Sequence, residues 1–101
     1  MTIFDASTLI LVTKAEVLDL FLTSVGTPAA IPVEIARECC SSKKTLEAAL
    51  IQKALDESRI KTMVVKNRRL VDKLQTDFRL GKGEAEAIAL AVNEKAQLLG
   101  I

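Results

Sequence analysis

Histidine is absent from the 101 residues, which excludes a Ser-His-Asp triad, an imidazole general base and any histidine-bearing zinc or copper site. Tryptophan and tyrosine are absent too, and the three aromatic residues are Phe4, Phe21 and Phe78. The stacked-ring platforms on which many proteins hold single-stranded nucleic acid are therefore excluded, and any such contact would be electrostatic. The two cysteines, Cys39 and Cys40, are adjacent. Neighbours rarely reach disulfide geometry, and nothing nearby supplies the further ligands of a zinc site, so they read as reduced packing residues. Long hydrophobic runs are missing as well. The apolar stretch from Ile3 to Val12 is interrupted by Asp5, falls short of the roughly 18 residues of a membrane span and lacks the basic start and cleavage site of a signal peptide. The expectation is a cytoplasmic chain with no membrane partner, restricted to oxygen chemistry.

What is present suffices for a core. Half of the residues are hydrophobic, and 14 Lys+Arg stand against 13 Asp+Glu, the balance of one compact domain over residues 1–101 rather than a disordered tail. Thr2-Ile3-Phe4 is β-prone and ends at Asp5, after which Ser7 is placed to cap a helix through Leu9, Ile10 and Leu11. Helical spacing continues from Lys14 to Thr23, and Gly26-Thr27-Pro28 closes it. Thr27 to Ile31 predicts a second strand, with Pro32 at the first position of a helix carrying Ile35 and Cys39 on one face. Thr45 to Asp56 is amphipathic, Ile60 to Val65 predicts a buried parallel strand, and Leu70, Leu74 and Phe78 mark another helix. Gly81-Lys82-Gly83 breaks that helix, the Ala-rich run Glu84 to Lys95 predicts a closely packed one, and Gln97 to Ile101 predicts a fourth strand. This alternation implies an α/β domain with a parallel sheet covered on both faces.

In such sheets working groups collect at the carboxyl ends of the strands, where three acids stand out. Asp5 closes the first strand in an otherwise apolar segment, as a functional acid or as a turn and capping residue. Glu38 lies near a helix C-terminus, the wrong end of the dipole for its charge, unless a cation such as Arg37 pairs with it. Glu84 opens the Ala-rich helix, where unpaired N–H groups favour a carboxylate. Glu86 competes with it, but two residues on a helix stand about 200° apart, so both cannot face one cleft. Carboxylates brought together repel unless a cation neutralises them, and oxygen ligands suit Mg²⁺ or Mn²⁺.

The order Ile3-Phe4-Asp5-Ala6-Ser7-Thr8-Leu9-Ile10, then Ile31-Pro32 with Ile35 and Glu38, then Gly83-Glu84-Ala85-Glu86-Ala87-Ile88-Ala89-Leu90-Ala91, resembles PIN domains. It is most similar to archaeal and bacterial PIN-like nucleic-acid-binding proteins related to the ribonuclease toxins of toxin–antitoxin pairs. The resemblance implies a three-layer α/β/α sandwich with a central parallel sheet of about four strands, a pocket for Mg²⁺ or Mn²⁺, and endonucleolytic cleavage of RNA. It also implies catalytic and metal-holding roles for Asp5, Glu38 and Glu84, with Glu86 as the fallback, and a supporting hydroxyl at Ser7. Where PIN domains carry their next Asp and then a further helix and strand, this sequence reaches Leu98-Leu99-Gly100-Ile101. The resemblance therefore implies a truncated or split domain with an open sheet edge, expected to form a homo-oligomer.

Positive charge is local. Lys66, Arg68 and Arg69 form one cluster and Lys43-Lys44 another, as solvated faces or as a track for RNA phosphates. The leading expectation is a metal-dependent ribonuclease, acting alone or restrained by an antitoxin protein. The alternative is a catalytically impaired PIN-like remnant that binds RNA or another protein. A flavodoxin-like small-molecule binder is disfavoured, because no Gly-rich turn follows a strand.

Overall fold

The computed structural model describes residues 1–40 and 45–99 of the chain. Within them ten elements follow one another: β1 (Thr2–Phe4), α1 (Ala6–Lys14), α2 (Leu18–Val25), β2 (Ala29–Pro32), α3 (Val33–Cys40), α4 (Leu46–Asp56), β3 (Ile60–Met63), α5 (Arg68–Phe78), α6 (Lys82–Glu94) and β4 (Gln97–Leu99). The strands form one sheet in the order β3-β2-β1-β4. Every pairing is parallel: Thr2 stands beside Ala29 and Gln97, and Ala29 beside Ile60. Successive crossovers carry the chain from β1 to β2 to β3 in one direction and then back past β1 to β4. With right-handed connections, this places α1–α4 on one face and α5–α6 on the other. The result is the expected α/β/α arrangement.

The core lies against the two central strands. Ile3, Phe4, Leu9, Ile31, Ile35, Ile51, Ile60 and Val71 are all buried, and the Phe4 ring meets Phe21 at a centroid distance of 5.4 Å. The alanine run of α6 works by size. Ala85, Ala87, Ala89 and Ala91 are buried, and these small side chains let the helix lie close on β1 and β2.

Four local expectations are corrected. Asp5, not Ser7, is the N-cap of α1: its carboxylate accepts from the Thr8 N–H at 3.0 Å, while Ser7 Oγ donates to it at 2.7 Å. The second helix starts at Leu18 rather than near Lys14, because Glu16 takes a left-handed backbone conformation (φ 62°) and breaks the run. Pro32 is the last residue of β2, beside Met63, rather than the first of the helix. The stretch from Ile60 to Val65 is not a buried strand. β3 ends at Met63 on the sheet edge, and Lys61 and Thr62 are exposed. The candidate contacts Lys43 and Lys44, and the last two positions of the predicted fourth strand, lie outside the described residues.

Caps set where the helices begin. Asn67 starts α5, its side-chain oxygen accepting from the Leu70 N–H at 3.1 Å. Asn67→Ala is expected to cost about 1 kcal/mol, the usual worth of an N-cap, read as a lower urea midpoint with an unchanged slope. No helix among the described residues is long and apolar enough to cross a membrane.

Candidate active site

The carboxyl ends of the strands receive Asp5 directly after β1, α3 directly after β2, and the N-terminal turns of α5 and α6. Asp5 is 6% exposed, and both carboxylate oxygens are engaged, one by the Thr8 N–H and one by the Ser7 hydroxyl. Ser7 thus supports the first acid.

Glu38 is placed by an inter-helix contact. Its carboxylate accepts from the backbone N–H of Gly83, in the first turn of α6. That turn starts at Gly81, which has no side chain to cap it, so a carboxylate from α3 takes over the capping role and meets the positive helix end. The approach is close because residue 83 is glycine: a Cβ there would stand 2.9 Å from the Glu38 carboxyl carbon and push that carboxylate aside. The alternative in which Arg37 itself neutralises Glu38 is not realised. Arg37 binds Glu34 instead, at 2.8 Å.

Glu84 and Glu86 part company as the helix geometry requires. Glu84 is exposed, whereas Glu86 is 5% exposed and holds Arg68 at 2.9 Å. Glu86 and Arg68 line a cleft of about 230 Å³ together with Glu34, Arg37 and Lys82, and Lys82 lies 3.6 Å from Glu34. Lys66 and Arg69, beside Arg68, are exposed. Sequence reasoning missed Glu34, although its spacing of four residues from Glu38 places both on one face of α3.

These carboxylates share one field. The Glu38 pKa is raised by its partial removal from water first, then by Glu34, with smaller contributions from Glu84 and Glu86, against the lowering effect of the Gly83 N–H. The consequence for folding has a definite sign. A carboxyl whose folded pKa lies above its unfolded value opposes folding once the unfolded chain ionises. Stability due to Glu38 therefore falls as pH rises from about 4.5 through its folded pKa, and stays reduced above it. Glu38→Gln, which can still accept from Gly83, is expected to melt above the wild type at neutral pH. The difference should vanish in acid below that window. Cys39, buried beside this group, has its thiol pushed up to about 12, by burial first and then by Cys40, Glu38 and Asp5. It is a neutral packing thiol at ordinary pH.

The acids offer the oxygen donors that Mg²⁺ or Mn²⁺ prefers. As arranged they do not fit one. Among the described residues no three His, Cys, Asp or Glu side chains stand together so as to hold a metal ion, and Asp5, Glu38 and Glu86 each have a partner within the chain.

Comparison with known proteins adds the family. No curated protein and no solved structure matches the chain. A family model described as DUF3368, PIN domain, matches residues 1–101, the full length of a parallel α/β fold with acids at its strand ends. The chain belongs to the PIN-domain family, a nuclease-type fold.

Proposed function

We propose that the protein is an endoribonuclease of the PIN type, dependent on Mg²⁺ or Mn²⁺, in which Asp5, Glu38 and an acid of α6 are the catalytic carboxylates and would hold the ion only once their present partners give way. The observation that carries this reading is the contact of Glu38 on α3 with the first turn of α6 at Gly83, the turn that also carries Glu84. Acids from distant parts of the sequence act on one another at the carboxyl edge of the sheet, in a family of nuclease type. Burial on the cleft wall favours Glu86 over Glu84 as the third acid.

The chain's own residues have separate tasks in this reading. Arg68, Arg69, Lys66 and Lys82 attract RNA phosphates to the cleft, and no aromatic stacking is needed. Asp5 is fixed by two hydrogen bonds, so its charge stays in place. Glu38 is positioned against the first turn of α6, where the Gly83 N–H donates to its carboxylate. The reading places the protein in the cytoplasm, as the toxin of a toxin–antitoxin pair. Its partners are RNA, an antitoxin protein and a second copy that pairs along the open β4 edge.

The test is an end-labelled single-stranded RNA incubated with the folded protein and Mg²⁺ or Mn²⁺. Internal cuts that disappear with EDTA are expected. RNA left intact by folded protein contradicts the reading and favours the second one, a PIN-like module that binds RNA or protein without cutting. The feature favouring that alternative is the internal partner that Asp5, Glu38 and Glu86 already have.

A further inference from the structure

The cleft that holds Glu86 is layered by charge. Its acids lie deep and its cations lie outward: the side chains of Glu34 and Glu86 are 17% and 7% exposed, against 65% for Arg37, 48% for Arg68 and 49% for Lys82. A solute entering this space of about 230 Å³ meets guanidinium and ammonium groups before it meets a carboxylate. That order attracts an anion and repels a cation. The pairing also leaves a surplus. Arg68 is matched by Glu86, whereas Arg37 and Lys82 converge on one oxygen of Glu34, Oε2, at 2.8 and 3.6 Å. Two acids thus balance two of the three cations that line the cleft, and one positive charge is left over. The first turns of α3, α5 and α6, which carry Glu34, Arg68 and Lys82, open on the same space, so three helix dipoles add to the positive field.

We propose that this rim is a subsite for one phosphodiester group of an RNA strand, gripped directly by Arg37 and Lys82. The inference rests on the ribonuclease reading for RNA as the source of the phosphate. The one surplus charge matches the one negative charge of a phosphodiester. Arg37 spends a single N–H on Glu34, so its guanidinium keeps further donors for phosphate oxygens, and the Lys82 ammonium adds its own. Glu34 is a positioning residue: lying beneath both cations, it holds one from α3 and one from α6 side by side. Arg68, pinned by Glu86, completes the wall, and the exposed Lys66 and Arg69 carry the positive track onward.

The experiment is fluorescence anisotropy of a labelled single-stranded RNA titrated with the full chain in EDTA, repeated over a range of salt, with folding checked by circular dichroism. Arg37→Gln and Lys82→Gln are each expected to weaken binding about tenfold, the scale of one hydrogen bond to a charged group. The double variant should lower the slope of log affinity against log salt by about 0.7, the share of one phosphate on a single strand. A fall of about 1.4 would assign the two cations to separate phosphates and overturn the shared subsite. Lys53→Gln, on α4 and outside the cleft, is expected to bind as the wild type does. An equal loss there would mean diffuse attraction and no subsite. If Arg37→Gln does not fold, Arg37→Lys carries the test with Lys82→Gln: it keeps the charge but loses the planar fork, and should weaken binding with an unchanged slope. Poly-glutamate that displaces the labelled RNA at a lower concentration than unlabelled RNA of equal charge would make the rim a dock for an acidic peptide instead. The two readings fail separately. RNA held through the rim in EDTA but never cut with Mg²⁺ or Mn²⁺ contradicts the nuclease and keeps the subsite. Cutting by both single variants with the wild-type KM keeps the nuclease and removes the subsite.

Discussion

Asp5→Asn is expected to slow RNA cleavage about a hundredfold or more, the scale on which enzymes lose rate when one electrostatic contact to the transition state is removed. The fold should survive. Asparagine is as good an N-cap as aspartate, and its amide oxygen still accepts from the Thr8 N–H that Asp5 now receives at 3.0 Å. Ser7, which donates to Asp5 at 2.7 Å, can turn its hydroxyl to accept from the new amide. The substitution thus removes a charge and little else. Single-turnover cleavage and a melting curve on the same preparation check it: a large loss of rate with a nearly unchanged midpoint is the expected pair. Equal loss of rate and of structure would make Asp5 a helix cap with no catalytic part.

Phe4→Ala is expected to have the largest effect on stability. Phe4 is fully buried in a central strand, immediately before Asp5, with its ring tilted 57° against Phe21. Truncating such a side chain costs about 3–5 kcal/mol through lost transfer energy and the cavity left behind. Against a total of about 5–15 kcal/mol for a domain, that is a large share. A fall in Tm of about 12 °C or more is expected, measured by thermal unfolding. The loss should reach the site as well, because β1 holds the first acid. A variant that melts like the wild type would mean that β1 is not the centre of the sheet.

Much of this was legible before the fold was seen. The succession of strand, acid and helix around Asp5 is written in the change from a β-prone run to a capping group and helical spacing, and β1 and α1 follow it. The alanines of α6 announce close packing, and α6 lies on β1 and β2. Other features depend on partners far away in sequence. The edge position of β3 follows from the order of the strands, which no local pattern states, so a run containing Met63 and the exposed Val64 looks more buried than it is. The turn between α1 and α2 holds neither glycine nor proline. Its break at Glu16 (φ 62°) is a backbone feature without a local signal.

The site divides in the same way. Asp5, Glu38 and the two acids of α6 stand out by position and by the resemblance to PIN domains, whereas Glu34 does not, and none of their partners is legible. Nothing near Glu38 in sequence indicates that it caps the first turn of α6, or that the missing Cβ of Gly83 lets its carboxylate come so close. Arg68 and Arg69 read alike in the sequence, yet only Arg68 pairs with Glu86. The choice between Glu84 and Glu86 turns on which of them faces the cleft, a property of how α6 rolls against the sheet.

The central claim is that acids gathered at the strand ends from β1, α3 and α6 form one site that cuts RNA. The most direct measurement compares cleavage of one labelled single-stranded RNA by the wild type, Asp5→Asn and Glu86→Gln in Mn²⁺, with EDTA in parallel. The account predicts internal cutting by the wild type that both substitutions and EDTA remove. Cutting by Asp5→Asn at the wild-type rate, or none by folded wild-type protein, would contradict it.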